Sequence, residues 1–339
     1  MRIAVLGGAG FMGSNFVRHL LRTYSDTEVI VYDKLTYAGR LENLHDVLED
    51  PRLRFVKGDV CNEELLEHVL RGFQPEIVVN FAAETHVDRS INEPSPFLKT
   101  NIFGVFTVLE VVRKLGIEKY VHISTDEVYG DLWGMGGAAD ETWSLNPSSP
   151  YSASKAAADL LVKAYGRTYR LRYRIVRPCN NYGPYQHPEK LIPRTIARLL
   201  HGKPATIYGD GSQIRDWLYV EDFCSALDTV IRRGSDFEIY NICTHQFASV
   251  KEVVTMVVEI MGKDPSRNII YVRGRPGEDR RYAMKCSKIE ELGWKPTTTL
   301  YEGLRKTIEW YLKNEWWWRP LLDQTYVLAD EPWKLGDIQ

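Results

Sequence analysis

Short runs of apolar residues alternate with amphipathic helical patterns through the first half of the chain. The predicted strands cover residues 2–7, 28–33, 53–59, 77–83, 119–125 and 173–178. The predicted helices cover residues 13–24 and 62–72 and lie near 97–115 and 151–167. Near-continuous Val and Ile runs that alternate with helices are typical of a parallel sheet covered on both faces. The pattern therefore predicts an α/β fold built on a doubly wound parallel sheet.

The periodicity changes near residue 180, where the stretch NNYGPYQHPEK is rich in turn formers. Beyond it the predicted elements are shorter and mixed, with helices at 191–201, 249–262 and about 301–315. We therefore expect one domain over residues 1–179 and a smaller mixed α/β region over 180–339. We expect the second region to share some elements with the first domain.

Composition excludes several classes of protein. The 339 residues, 44% of them apolar, are enough for one large domain or two, and the net charge of −2 argues against a nucleic-acid or membrane-surface partner. The five cysteines are scattered, so neither a disulfide framework nor a zinc site is indicated, and a reducing cytoplasm is expected. The N-terminus lacks a signal-peptide pattern, and no run approaches the roughly 18 apolar residues of a membrane span.

A glycine-rich turn follows the first predicted strand and opens the first helix. In VLGGAGFMG, Gly7, Gly10 and Gly13 permit a tight turn and close approach of the backbone to a pyrophosphate. The second strand ends in Asp33, twenty residues after Gly13, where an acid accepts hydrogen bonds from ribose hydroxyls and repels a 2′-phosphate. The sequence thus predicts a Rossmann domain that prefers NAD, while Lys34 and Arg40 nearby leave NADP open.

A tyrosine and a lysine four residues apart, Tyr151 and Lys155, open a predicted helix. The two side chains share one helix face, and an ammonium beside a phenol favours the phenolate. A phenolate can accept the proton of an alcohol that loses hydride. The spacing alone also fits a surface pair. Likewise, the adjacent carboxylates Asp126 and Glu127 alone also fit a solvated loop.

Five motifs in order carry a family resemblance: the glycine turn, FAAETHVDRS (81–90), STDEVYG (124–130), YSASK (151–155) and NNYGPYQHPEKLIP (180–193). The chain resembles the extended short-chain dehydrogenase/reductases and, within them, the dTDP-glucose 4,6-dehydratases, to about residue 318. The resemblance implies C4 oxidation of the sugar, loss of water across C5 and C6, and hydride return to C6. The non-catalytic alternative is an NAD-binding protein, and the catalytic ones are a UDP- or GDP-sugar 4,6-dehydratase or a sugar-nucleotide epimerase.

The resemblance also implies a role for each catalytic residue. Tyr151 is the base for the C4 hydroxyl, Lys155 tunes it, and Thr125 bonds near O4. Asp126 protonates the leaving hydroxyl, and Glu127 takes the C5 hydrogen. Because adjacent residues of a strand face opposite ways, both carboxyl groups can face the sugar only if the strand has ended or bulged there.

The expected contacts form two sets, and no metal is expected. The cofactor set comprises Gly7, Gly10, Phe11, Met12, Gly13, Asp33, Lys34, Asp59, Val60, Ala82, Ala83, Thr100 and Asn181. The substrate set comprises Glu84, His86, Asn180, Lys190, Leu191, Tyr208, Arg215 and Tyr282. Within the latter, the resemblance makes Tyr208 the ring that stacks on the base and Arg215 the cation on the diphosphate. Asp59 also fits a strand-ending turn, and His86 a structural histidine.

The chain departs from the family pattern at the nucleotide end. Glu278 replaces a histidine, Thr206 a proline, and Ser249 or Val250 an asparagine, so the identity of the nucleotide is less determined than the reaction. The family forms homodimers through two helices per subunit, here about 99–115 and 151–167. The EWWWRPLL stretch fits either an interface or a helix end packed on its own chain, and we favour the latter.

Overall fold

The computed structural model describes residues 1–323 and 325–334, and its main layer is a parallel sheet of seven strands. These strands are β1 Arg2–Leu6, β2 Glu28–Asp33, β3 Leu53–Lys57, β4 Ile77–Asn80, β5 Lys119–Ile123, β6 Tyr173–Pro178 and a late strand, Glu238–Ile242. The strand order is Glu238–Ile242, β6, β5, β4, β1, β2, β3. The order reverses next to β1, and in such sheets ligands bind at the carboxyl ends of the strands near this reversal. The predicted doubly wound sheet is confirmed.

Helices cover both faces of the sheet and form much of the C-terminal region. In the first half they are α1 Phe11–Thr23, α2 Glu63–Phe73, α3 Val87–Asn92, α4 Ser95–Leu98, α5 Val105–Leu115 and α6 Pro150–Tyr169. In the second half they are α7 Leu191–Leu200, α8 Val220–Arg233, α9 Val250–Ile260, α10 Pro265–Asn268, α11 Ser287–Glu291, α12 Leu300–Lys313 and α13 Glu315–Trp318. A π-helical stretch, Lys99–Gly104, joins α4 to α5, and 3₁₀ helices lie at Leu41–Leu44, Asp126–Tyr129, Arg319–Leu321 and Pro332–Lys334.

Two small sheets complete the second half of the chain. Their strands are β7 Asn180–Tyr182, β8 Ala205–Tyr208, β9 Ile214–Tyr219, β11 Phe247–Ser249 and β12 Ile269–Val272. Strands β11, β9 and β7 form one sheet, and β12 pairs in parallel with β8. The late strand Glu238–Ile242, which we label β10, instead pairs in parallel with β6 at the edge of the main sheet. Part of the second half therefore belongs to the sheet of the first.

The chain Ser95–Leu115 forms one long apolar helix. By length and composition it could cross a membrane, with a mean hydropathy of 1.2, although the sequence predicts no such run. Half of it is buried inside the protein, and a core helix meets the same criteria. On the other side, the large apolar side chains of Leu98, Phe103 and Phe106 are exposed. The helix therefore has one face in the core and one apolar face outside.

The three tryptophans after α12 have different environments. Trp317 and Trp318 are buried, and the Trp317 indole donates a 2.8 Å hydrogen bond to the side-chain oxygen of Asn43. The Trp318 indole donates to the carbonyl oxygen of Tyr311 at 2.8 Å. Trp316 is 49% exposed. The stretch thus packs mainly on its own chain, as we favoured.

Cys243 and Cys286 form a disulfide, with Cα atoms 5.9 Å apart. The scattered cysteines indicate no disulfide, and the structure corrects this expectation. The pair has no signature in the sequence because 43 residues separate the two cysteines and neither belongs to a local motif. The bond joins the residue after β10 to the residue before α11. Cys61, Cys179 and Cys224 are free thiols.

Candidate active site

The glycine turn between β1 and α1 brings main chain close to main chain. Gly7 has a positive φ of 73°, and a Cβ there would lie 2.5 Å from the backbone nitrogen of Ala82. A Cβ at Gly13 would lie 2.4 Å from the carbonyl oxygen of Gly7. Gly10 precedes α1 without a side-chain cap, so amides of the first helical turn remain for a ligand. Only glycine fits this turn, and its shape suits a phosphate.

Asp33 ends β2 beside the glycine turn. Its carboxylate accepts hydrogen bonds from the amides of Ala9 at 2.9 Å and Leu35 at 2.8 Å. Asp59, after β3, pairs with Lys34 at 2.8 Å. Lys34 is thus held by a carboxylate instead of standing free for a 2′-phosphate, which favours NAD over NADP.

One cavity of about 280 Å³ runs from the glycine turn to the end of β5. All the predicted catalytic residues and all the predicted cofactor residues line it, together with Glu84, Asn180 and Lys190 of the predicted substrate set. The side-chain oxygens of Asn180 and Asn181 are buried there without a hydrogen-bond partner among the described residues. The cavity therefore contains unsatisfied acceptors as well as the glycine turn.

The backbone bends where two carboxyl groups must face one way. Strand β5 ends at Ile123, two residues earlier than predicted, and a 3₁₀ helix begins at Asp126. Thr125 caps that helix by accepting the amide of Glu127 at 3.3 Å. Because the strand has ended, Asp126 and Glu127 both line the cavity, and the prediction about the backbone is confirmed.

The two carboxyl groups differ in their electrostatic surroundings. Burial, and then the charge of Glu127, raise the pKa of Asp126 to about 8, and the charge of Arg215 opposes this rise. Burial also raises the pKa of Glu127, but three cations lower it: Arg275, Arg215 and Lys190. Asp126 is therefore the better proton donor near neutral pH, and Glu127 is the carboxyl more readily ionised.

Tyr151 does not have the lowered pKa that the sequence predicts. Burial, followed by the charges of Glu127 and Asp126, raises the pKa of Tyr151 well above its usual value. Lys155 donates instead to the carbonyl oxygen of Ile123 at 2.6 Å, and burial lowers the pKa of Lys155 to about 8. The prediction was wrong because helical spacing says nothing of burial or of nearby carboxylates.

Five residues of the predicted substrate set lie outside the lining of this cavity: His86, Leu191, Tyr208, Arg215 and Tyr282. The guanidinium of Arg215 stacks on the Tyr282 ring at 4.2 Å from its centroid and donates to the carbonyl oxygens of Ile214 and Asp279. Tyr208 lies in β8 and Leu191 in α7.

His86 belongs to a buried charged cluster. Its Nδ1 lies 4.0 Å from Glu189, which Arg89 also contacts at 2.8 Å. Burial lowers the pKa of His86 to about 4, so the imidazole is neutral at pH 7. This arrangement fits the structural reading of His86.

Two arginines of this region were missed by the sequence analysis. Arg275 pairs with Asp88 at 2.8 Å and is the largest cationic influence on Glu127. Arg194, in α7, donates to the hydroxyl of Tyr208 at 2.7 Å. Arg194 lies three residues after Leu191, and Arg275 precedes the GED stretch, so both lay close to residues already chosen.

Asp216, Cys243 and His245 have possible metal-ligating atoms within 4.8 Å of one another. However, the Asp216 carboxylate accepts hydrogen bonds from the amides of Thr244, His245 and Gln246. Cys243 is in the disulfide. This cluster fixes the loop after β10 and carries no argument for a metal.

The sheet, the glycine turn and the Tyr–Lys pair define an extended short-chain dehydrogenase/reductase. The family model for GDP-mannose 4,6 dehydratase matches residues 4–307. The dTDP-glucose 4,6-dehydratase of Salmonella typhimurium is 48% identical over 341 residues, which cover 94% of each chain. The chain belongs to the dTDP-glucose 4,6-dehydratase family.

Solved structures show the same relationship. The dTDP-glucose 4,6-dehydratase of Streptomyces venezuelae, solved with NAD bound, is 46% identical with a TM-score of 0.91, over 95% of this chain and 100% of that one. The UDP-glucose 4-epimerase of Thermotoga maritima is 34% identical with a TM-score of 0.85, over 92% of this chain and 99% of that one. The fold alone therefore does not separate dehydratase from epimerase.

Proposed function

We propose that this chain converts dTDP-glucose to a dTDP-4-keto-6-deoxyglucose with NAD as its cofactor. The observation that carries the proposal is that Asp126, Glu127 and Tyr151 line one cavity beside the glycine turn. An epimerase oxidises and re-reduces one carbon and needs no second carboxyl group. Loss of water needs an acid and a base, and the two carboxyl groups of the 3₁₀ helix supply both.

The residues around the cavity suit NAD. The amides at the start of α1 would hold the pyrophosphate, the Asp33 carboxylate would accept from the ribose hydroxyls, and the unpaired oxygen of Asn181 would accept from the carboxamide. When bound, NAD supplies a hydride acceptor for C4, a hydride donor for C6, and a cationic ring. Lys34 and Asp59, paired to each other, close the adenosine end.

Tyr151, Thr125 and Lys155 act on the C4 hydroxyl. Thr125 hydrogen-bonds near O4, and Tyr151 takes the hydroxyl proton as C4 is oxidised. Since burial holds the pKa of Tyr151 high, the phenolate needs positive charge close to its oxygen. Lys155 keeps its place through the carbonyl oxygen of Ile123 and contributes part of that charge.

The two carboxyl groups carry out the elimination. Oxidation at C4 acidifies the hydrogen on C5, and the Glu127 carboxylate takes it. Asp126, protonated because its pKa is raised to about 8, gives its proton to the C6 hydroxyl, which leaves as water. After hydride returns to C6, Glu127 gives its proton back to C5.

The cationic end of the cleft holds the nucleoside diphosphate. Arg215 is buried, and the hydrogen bonds it makes go to carbonyl oxygens, so its guanidinium can meet a phosphate, as can Lys190. Asn180 lines the cavity near the diphosphate, where its side-chain amide nitrogen can donate to a phosphate oxygen, and Glu84 lies at the sugar. Tyr208 offers its ring to the base, and Tyr282 forms part of the rim.

Purified protein incubated with dTDP-glucose tests the proposal. We expect the alkali-induced chromophore of a 4-keto-6-deoxy sugar without added NAD, since a cycle that regenerates the cofactor permits it to stay bound. The matched control is Tyr151→Phe, which keeps the ring and should lose the signal. A 4-epimer as the product would contradict the dehydratase assignment.

UDP-glucose and GDP-mannose assayed in parallel test the nucleotide. Glu278, which departs from the family pattern, accepts a 3.1 Å hydrogen bond from Gln213 and lies 3.5 Å from Arg275. Activity with only one of these two nucleotides would keep the mechanism and place the difference at Glu278 and its neighbours. Silence with all three, in folded protein with NAD added, would favour an NAD-binding protein without turnover.

Three broader features belong to the same proposal. Residues 1–179 with β10 form the NAD domain, and the rest of 180–339 forms the sugar-nucleotide domain. Two chains associate through Ser95–Leu115 and α6, whose exposed Phe103 and Leu160 need cover. The enzyme acts in the cytoplasm, as its scattered cysteines predict, although the Cys243–Cys286 bond is unusual there.

A further inference from the structure

The last described segment of the chain lies across the nucleoside end of the cleft. We call residues 325–333 the C-terminal strap. The match to the family model ends at residue 307, so the strap lies outside it. Val327 and Leu328 of the strap are buried in the apolar core of the C-terminal region. The strap is therefore packed against the protein.

Two arginines of α7 bind the strap. Arg194 donates to the carbonyl oxygens of Val327 and Ala329. Arg198, one turn later, donates to the carbonyl oxygen of Leu328 at 2.8 Å and pairs with Asp330 at 2.6 Å. Guanidinium groups are well suited to phosphate, and here the strap engages them.

Trp333, at the end of the strap, packs on the ring proposed to stack on the base. The centroids of the Trp333 and Tyr208 rings are 4.3 Å apart, with an angle of 68° between the rings. Trp333 is only 5% exposed. The side chain of Asn92 donates to the carbonyl oxygen of Pro332 at 3.3 Å, which fixes the strap beside Tyr208.

A chain of contacts leads from Trp333 to Arg275, whose charge influences a catalytic carboxyl group. The Tyr208 hydroxyl lies 3.4 Å from Asp88, Asp88 pairs with Arg275 at 2.8 Å, and the charge of Arg275 lowers the pKa of Glu127. The strap therefore lies beside Tyr208, at the end of the cleft proposed to bind the nucleobase. The lining of the 280 Å³ cavity includes Lys190 but not Tyr208.

We propose that the C-terminal strap is autoinhibitory: Trp333 takes the place of the nucleobase on Tyr208, and a nucleotide sugar must displace the strap to bind. The proposal rests on the proposed function, because it takes a nucleoside diphosphate as the ligand. If only a fraction of the protein has the strap displaced, the apparent affinity for the nucleotide sugar is reduced to that fraction of the intrinsic affinity. Loss of the Trp333–Tyr208 contact should therefore tighten binding.

Hydrogen exchange of the full-length protein with its NAD tests displacement directly. We expect amides of residues 325–333 to exchange faster when dTDP is added at saturating concentration. Slower exchange would show a strap that closes over the nucleotide, and unchanged exchange would show a fixed wall, so either result overturns the proposal. Exchange at β4 and β5 is the internal reference.

Kinetics of two variants provide the second test. Trp333→Ala should lower KM for dTDP-glucose roughly tenfold, with kcat changed less than about twofold. A chain that ends at Leu322 should do the same, and it keeps the test open if one variant folds poorly. Trp316→Ala is the matched control, because Trp316 is exposed and its indole bonds to Asn314 beside it.

A raised or unchanged KM in both folded variants would overturn the inhibitory role. These outcomes are separable from failure of the proposed function, because turnover and dTDP binding are measured first on the wild-type protein. If none of the three nucleotide sugars binds, both proposals fail. If dTDP-glucose is converted but the strap does not move, this one alone fails.

Discussion

Asp126 and Glu127 are adjacent in sequence and yet differ in charge environment. The charges of Arg275, Arg215 and Lys190 lower the pKa of Glu127, whereas Arg215 is the leading cation that lowers the pKa of Asp126. The two neighbouring carboxyl groups therefore differ in how readily they ionise, which their positions in the sequence do not reveal. The distinction comes from residues more than sixty positions away in the sequence, which the fold brings together.

The pH dependence of the reaction should report Asp126. Its pKa is raised to about 8 in the folded protein, so the acid form is present below that pH and is lost above it. We expect kcat/KM to fall as pH rises through about 8, measured with dTDP-glucose between pH 6 and 10. A profile flat across this range, in protein that stays folded, would contradict the role of Asp126 as acid.

Single variants of the two carboxyl groups, assayed in heavy water, should distinguish the proposed acid from the proposed base. Asp126→Asn cannot give a proton to the C6 hydroxyl, and Glu127→Gln cannot take one from C5. We expect each to lower kcat by roughly 10²–10⁴-fold, because each removes one proton transfer.

Deuterium then distinguishes the pair. Recovered substrate from Asp126→Asn should carry deuterium at C5, detected by mass spectrometry, whereas substrate from Glu127→Gln should not. The reverse pattern would exchange the two assignments. The two variants are matched controls for each other, since both replace a carboxyl group by an isosteric amide.

The predicted catalytic and cofactor residues lie in motifs that fix the local backbone, and the structure brings them to one cavity. The glycine turn, the STDE stretch and the YSASK stretch each follow a strand or open a helix, so the fold brings them to one edge of the sheet. Arg194 and Arg275 were missed, because only tertiary contacts direct them to Tyr208 and Asp88. The prediction of a lowered pKa for Tyr151 was wrong for the same reason, because that pKa depends on burial and on charges from other elements.

At the level of elements, the parallel strands were the easiest part to predict. Strands β2 and β6 have the predicted bounds, since Val and Ile form the centre of each and favour a strand. Strands β4 and β5 end earlier than predicted, at Asn80 and Ile123. At both points the chain leaves the sheet and lines the cavity, as Ala82 and Ser124 do. Residues of these types do not mark the end of a strand in the sequence.

The long helix Ser95–Leu115 should set the association state. Phe103 is 67% exposed there and Leu160 of α6 is 57% exposed. We expect Phe103→Glu to halve the molar mass measured by light scattering, because a buried charge in a helical interface is costly.

A matched substitution tests whether any added charge has this effect. Leu312→Glu in α12 replaces a side chain that is 51% exposed, and should leave the molar mass unchanged. If Phe103→Glu has the mass of the wild type, the helix is not the interface.

At the scale of the whole molecule, the disulfide joins the edge of the main sheet to the region that carries Arg275 and Tyr282. Closing a loop of 43 residues stabilises the folded state by at most about 4 kcal/mol in the chain-entropy treatment. We expect the double variant Cys243→Ser, Cys286→Ser to unfold at a lower urea concentration than the oxidised wild type. Its free energy of unfolding should be lower by about 2–4 kcal/mol.

Reduced wild type should behave as the double variant does. Cys61→Ser is the control, since Cys61 is a free thiol. Equal urea midpoints for the oxidised, reduced and double-variant proteins would show that this bond contributes nothing to the free energy of unfolding.

The two-part organisation was only partly predictable at this scale. The sequence pattern changes near residue 180, but β10 returns to the main sheet, and α8 packs against α1 of the first half. An edge strand such as Glu238–Ile242 resembles any other short strand in the sequence. Its parallel pairing with β6 is visible only in the structure. The C-terminal strap carries no pattern that would reveal its contact with Tyr208.

The position of β10 has a consequence for how the protein is made. The main sheet takes its seventh strand from residues 238–242, so a growing chain cannot complete it until more than two thirds of the protein has been synthesised. Until then the open edge of β6 and the uncovered face of α1 remain available to other chains. Ribosome-bound chains that stop near residue 179 should therefore depend on chaperones, whereas chains that extend beyond β10 should not.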